Sequence, residues 1–144
     1  APPGGGAMAP AEAARAWIGT PYAHGAALRG AGCDCLGLIR GLRAELGAPV
    51  PQPPPYPAGW ALRGADEALA RALALHLTPA AGPLEPGQVL LFRLRAGAPA
   101  GHLGVLVATG AFPRFIHAYD RHGVVESPLA AAWARRIVAR FNLI

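Results

Sequence analysis

Apolar residues recur at Cys35, Leu38, Ile39, Leu42 and Leu46, the i, i+3, i+4, i+7, i+11 spacing that lines one face of an α-helix. Asp34, just before this run, is a favourable N-cap; Gly47 is a favourable stop, and Pro49 bars continuation. The spacing therefore predicts a helix with Cys35 in its first turn and its apolar face in a core. A shorter helix is expected over residues 11–18, because Pro10 suits a first helical turn and Gly19 a C-terminal stop. Leu69, Leu73 and Leu77 predict a third over residues 65–77. Residues 50–57, with Pro51, Pro53, Pro54, Pro55 and Pro57, read as an extended, stiff connector. From Gln88 onward the period changes to short apolar runs broken by Pro86-Gly87, Gly97-Ala98-Pro99 and Gly110. Strands are expected at residues 88–94, 102–108, 114–118, 123–126 and 136–142. Helices first and strands later indicate an α+β fold, N-terminal helices packed on a C-terminal antiparallel sheet.

Length and composition narrow the class. The chain has 144 residues, 53% hydrophobic and 15% charged, which suits one globular domain and excludes a disordered chain. The domain is expected over residues 10–144, after a flexible leader at 1–9 in which Met8, the sole methionine, is a candidate natural start. No apolar run approaches the roughly 18 residues of a membrane span. The first residues lack the basic start and apolar stretch of a secretory leader, so export would require a carrier. The net charge is +5 and all 13 basic residues are arginine. They are dispersed, without interleaved aromatics, and so predict no nucleic-acid partner.

Two cysteines are too few for a disulfide framework. Cys33 and Cys35 lie too close in sequence for an unstrained ring, so both are read as thiols made in a reducing compartment. A nucleophilic thiol must ionise, whereas free cysteine has a pKa of about 8.5. A helix N-terminus favours the thiolate, and Cys35 has that placement. It also needs an imidazole within reach and a third group to orient that imidazole. His102 opens the run His102-Leu103-Gly104-Val105-Leu106-Val107, and His117 lies in Phe115-Ile116-His117-Ala118. A hairpin of these strands would place both imidazoles on one face, and a helix N-terminus packed across that sheet would bring the thiol to His102. The same chemistry-bearing residues, Cys33, Cys35, His102 and His117, are also conceivable zinc ligands. A C-x-C pair is weaker evidence for zinc than C-x(2–4)-C.

Five motifs occur in order: Gly19-Thr20-Pro21-Tyr22, Gly32-Cys33-Asp34-Cys35-Leu36-Gly37-Leu38, Leu84-Glu85-Pro86-Gly87, His102-Leu103-Gly104-Val105 and Phe115-Ile116-His117-Ala118. From about residue 11 to the C-terminus the chain resembles the NlpC family of cell-wall cysteine peptidases, which has a papain-like fold. The proline-rich connector, the segment His117-Ala118-Tyr119-Asp120 and the run Gly123-Val124-Val125-Glu126-Ser127-Pro128 resemble the branch found in phage tails and gene transfer agents. So does the spacing of 67 residues from Cys35 to His102.

The resemblance implies Cys35 as nucleophile, with its backbone amide in the oxyanion hole, His102 as general base and His117 as the orienting group. It implies Tyr22 beside the nucleophile as an oxyanion or substrate contact, and Asp34 as a substrate contact as well as a cap. The implied substrate is a peptidoglycan stem peptide cut between γ-D-glutamate and diaminopimelate, with no metal or cofactor. The implied partner is a tail-hub or baseplate protein. The chain would be made in a bacterial cytoplasm, carried on a phage-like tail and active in the recipient's periplasm. Leu36 stands where many members have serine, and Gln88 where aspartate usually follows the Pro-Gly turn. A tail or baseplate component that keeps the fold without turnover is the alternative.

Overall fold

The computed structural model describes residues 8–56 and 66–144; most of the expected leader, Pro57 and Ala65 lie outside them. Pro10 begins α1 (Pro10–Arg15). Expected to reach Ile18, the helix stops earlier because the Gly19 amide donates to Val124 O at 3.0 Å, which draws the chain toward the sheet. A two-residue hairpin follows, β1 (Ala27–Leu28) and β2 (Gly32–Cys33), where the apolar pattern predicts no element.

Next comes α2 (Cys35–Glu45), capped by the Asp34 carboxylate, which accepts from the Gly37 amide. Such a cap is worth about 1 kcal/mol. Leu38 and Leu42 on its inner face are fully buried, each contributing about 2 kcal/mol relative to exposure. Trp17 fastens α1 to the other end of α2, donating from Nε1 to Glu45 Oε1 at 2.9 Å. The third helix, α3 (Ala68–His76), starts later than its leucine spacing suggests. Glu67, at its N-cap, turns its carboxylate to the Ala100 amide at 2.9 Å and to Arg93 at 2.8 Å.

The strands are β3 (Gln88–Phe92), β4 (His102–Ala108), β5 (Arg114–Tyr119), β6 (Gly123–Pro128) and β7 (Ile137–Asn142). Among the described residues they form one antiparallel sheet in the order β6-β5-β4-β3-β7. Alternation divides its side chains between two cores. Val89, Leu91, Leu103, Val105, Ile116 and Phe141 pack with Ala14 of α1, with Trp17 just after it, and with Leu38, Leu42, Leu69 and Leu73 of α2 and α3. Leu90, Phe92, Leu106 and Phe115 pack on the other face with Leu129 and Trp133. Trp133 belongs to α4 (Ala131–Ala134), a single turn that the sequence pattern does not announce. The architecture is a mixed helix and antiparallel-sheet fold, as the change of period at Gln88 indicates.

Candidate functional site

Cys35 is the first residue of α2, and its thiol donates to the carbonyl of Gly101 at 3.7 Å. Gly101 immediately precedes His102, so α2 delivers the sulfur to the start of β4. The residue keeps part of its surface exposed, yet burial of the thiol, then the charge of Asp34, pushes its pKa up to about 12. The amides of Leu103, Leu36 and Cys35 itself act in the opposite direction. The helix N-terminus thus aids the thiolate, as its position suggests, but burial and the neighbouring carboxylate outweigh it. Cys33 is fully buried, and burial followed by Asp34 raises its thiol to about 12 as well.

The β4–β5 hairpin places both imidazoles on one face, with His102 Nε2 2.8 Å from His117 Nδ1. It is the face opposite α2, shared with Phe92, Phe115 and Trp133. The helix therefore does not lie over the histidines; its tip meets the backbone at Gly101, the residue before β4. Aromatic rings enclose the pair. Trp133 lies 5.7 Å from the His102 ring and 5.2 Å from His117 between centroids, and Tyr119 stacks on His117 at 5.1 Å. Burial, reinforced by His117, lowers the His102 pKa to about 3. Burial, reinforced by His122, lowers that of His117 to about 4. At neutral pH the resting site therefore holds a neutral thiol and two neutral imidazoles. Among the described residues His102 Nδ1 makes no hydrogen bond, which leaves it open to take a proton.

Asp34 is buried and heavily engaged. Oδ1 accepts from the Gly37 amide at 2.7 Å; Oδ2 accepts from the Gly25 amide at 2.8 Å and from the Tyr56 hydroxyl at 2.5 Å. His24 completes this clasp, its Nε2 2.7 Å from Tyr56 O and its Nδ1 3.8 Å from Asp34 Oδ2. Tyr22 bridges the backbone of Cys33. Its phenol pKa is raised to about 12 by burial first, then by Cys35, Asp34 and Asp120. Beside it opens a cleft of about 390 Å³ lined by Pro21, Tyr22, Asp120, Arg121, His122 and Gly123. Leu36 faces a different space, an apolar groove of about 320 Å³ between α2 and α3.

Several of these participants are missed by the sequence pattern. Ser127, whose Oγ lies 2.9 Å from His117 Nε2, falls just past the expected end of its strand. Trp133 sits in an unannounced helical turn, and Tyr56 in a connector that reads only as a spacer. Alternation along β6, where Phe115 pairs with Ser127, is the signal that could have found Ser127. Among the described residues no three of His, Cys, Asp and Glu converge to hold a metal ion, and no helix is long and apolar enough to cross a membrane.

No protein-family model and no curated protein matches this sequence. Among solved structures, a lipoprotein-like protein of the NLP/P60 family from Staphylococcus aureus subsp. aureus Mu50 shares the fold. The TM-score is 0.56 over 94% of this chain at 20% identity. This chain spans 40% of the length of that protein. The likeness establishes the fold, an NLP/P60-like arrangement of helices on an antiparallel sheet compatible with the papain-like class.

Proposed function

We propose that this protein is a peptidoglycan-degrading cysteine endopeptidase that cuts stem peptides at the γ-D-glutamyl–diaminopimelate bond. The observation that carries this reading is the thiol at the tip of α2 on the carbonyl of Gly101, one residue before His102, which itself is paired with His117 and has one ring nitrogen open. His102 Nδ1 takes the proton of Cys35 as the sulfur attacks the peptide carbonyl carbon. The backbone amide of Cys35 and the Tyr22 hydroxyl stabilise the oxyanion. The carbon–nitrogen bond then breaks, and the amine leaves with the proton held by His102. A water molecule gives a proton to His102 and attacks the thioester, releasing the acid and restoring the thiol. His117 orients His102 throughout. Asp34 caps the nucleophile's helix and, through the clasp at Gly25 and Tyr56, shapes the wall that meets the substrate amine.

The proposal extends to delivery: the enzyme rides on the tail of a phage-like or gene transfer agent particle, docked on a hub or baseplate protein. It opens the wall in the recipient's periplasm. The long Cys35–His102 spacing and the proline-rich connector support this, as features of the branch that the sequence resembles.

Rapid acid quench of the protein with the tripeptide L-alanyl-γ-D-glutamyl-diaminopimelate, followed by intact-mass measurement, tests the mechanism. An L-alanyl-γ-D-glutamyl adduct on the Cys35 peptide, absent in Cys35→Ala, is expected. Hydrolysis that persists undiminished in Cys35→Ala would exclude Cys35 as nucleophile.

A further inference from the structure

The buried histidine pair ends on a hydroxyl that the mechanism above does not use. Ser127 Oγ lies 2.9 Å from His117 Nε2, and His117 Nδ1 lies 2.8 Å from His102 Nε2. A neutral imidazole has one N–H and one bare nitrogen, so fixing the direction of one of these bonds fixes the other. Two arrangements satisfy the positions of the heavy atoms.

In the first, the Ser127 hydroxyl donates to His117 Nε2 and His117 Nδ1–H donates to His102 Nε2. His102 must then carry its proton on Nδ1, with no lone pair left for the proton of the thiol. In the second, His102 Nε2–H donates to His117 Nδ1, and His117 Nε2–H donates to Ser127 Oγ. His102 Nδ1 is then bare. Among the described residues the buried side-chain nitrogen or oxygen without a partner is Arg40 Nε, so His102 Nδ1 reaches solvent, and either arrangement leaves this nitrogen to water. What separates them is the reaction, which only the second arrangement survives. An imidazolium at His102 must donate from Nε2, and His117 Nδ1 can accept only while its own proton sits on Nε2, held by Ser127.

We propose that Ser127 is a positioning residue: its hydroxyl, acting as acceptor, fixes the tautomer of His117 and thereby keeps the Nδ1 lone pair of His102 facing outward as the base. The assignment rests on the peptidase mechanism proposed above, while the tautomers can be read independently of turnover. The cost of the alternative is concrete, since a catalytic histidine held in the wrong tautomer cannot serve as base even when its geometry is intact.

Long-range proton–nitrogen correlation spectra of the full chain labelled with 15N-histidine test this directly. In wild type, both His102 and His117 should show a protonated Nε2 and a bare Nδ1. In Ser127→Ala, His117 should lose that single tautomer, and kcat on the tripeptide should fall about tenfold, the scale of one lost hydrogen bond, with KM unchanged. Ser127→Thr, which keeps the hydroxyl, should restore both. A wild-type His117 protonated on Nδ1, or Ser127→Ala spectra identical to wild type, would overturn the proposal. An inactive wild type with the expected tautomers, lost in Ser127→Ala, would count against the peptidase reading and leave the role of Ser127 standing.

Discussion

His102→Ala is expected to lower turnover of a stem peptide by about a thousandfold, the middle of the range for loss of a positioned general base. The size follows from the charge state of the resting site. With the Cys35 thiol raised to about 12 and His102 lowered to about 3, no standing thiolate exists at neutral pH, so attack depends on proton transfer as it happens. The sign of the pH dependence follows as well. A base depressed to about 3 is in its neutral, competent form at every pH well above 3, so wild-type kcat/KM should be flat from pH 5 to 8. Without His102 the rate must track the small thiolate fraction of Cys35. That fraction grows about tenfold per pH unit below the thiol pKa. Initial rates of both proteins across this range check the account. A His102→Ala profile parallel to wild type would contradict it.

Among the glycines of the described residues, Gly37→Ala should be the most damaging to the fold. A Cβ at this position would stand 1.8 Å from the carbonyl oxygen of Ala26 and 2.8 Å from its carbon. That carbonyl is itself pinned, since it accepts from the Asp34 amide at 3.3 Å. Helix propensity alone favours alanine over glycine by about 1 kcal/mol. Overpacking against backbone costs about 3 kcal/mol or more, so the clash decides the sign. Relief requires the first turn of α2 to move off β1, which strains the Asp34 contacts to Gly25 and Tyr56 and carries Cys35 with it. A shift of only about 1 Å at a reacting group costs about a hundredfold in rate. Thermal unfolding and tripeptide hydrolysis should both show the loss. Wild-type melting together with wild-type activity would mean that α2 does not sit against Ala26 as described.

The elements that the sequence made legible are those with long, unambiguous periods and chemical punctuation. The run from Cys35 to Leu46 is bounded by Asp34 and Gly47, and it forms α2 within a residue or two of its expected ends. Residues 102–108 make a short, nearly continuous apolar run and form β4 as expected. That His102 and His117 share a face follows from alternation across a tight turn. Which face they share does not, because Gly104, Leu106 and Phe115 on one side look as apolar as Leu103, Val105 and Ile116 on the other. Features set by register or by long-range bonds were hidden. Pairing of Arg114 with Pro128 carries β6 past Glu126 and brings Ser127 under His117. Glu67 gives its carboxylate to Ala100 and Arg93, and α3 starts late in consequence. The level of the Cys35 thiol was hidden for the same reason. A helix N-terminus is visible in sequence, but the packing that buries the sulfur is not.

The most direct measurement is digestion of purified diaminopimelate-type peptidoglycan by wild type and Cys35→Ala, with soluble products identified by mass spectrometry. The account predicts new fragments ending at D-glutamate and beginning at diaminopimelate, released by wild type and absent with the variant, whose fold should be nearly unchanged because only the sulfur is removed. Equal release by both proteins, or none from folded, reduced wild type, would contradict it; the latter result would favour a tail component that keeps the fold without the reaction.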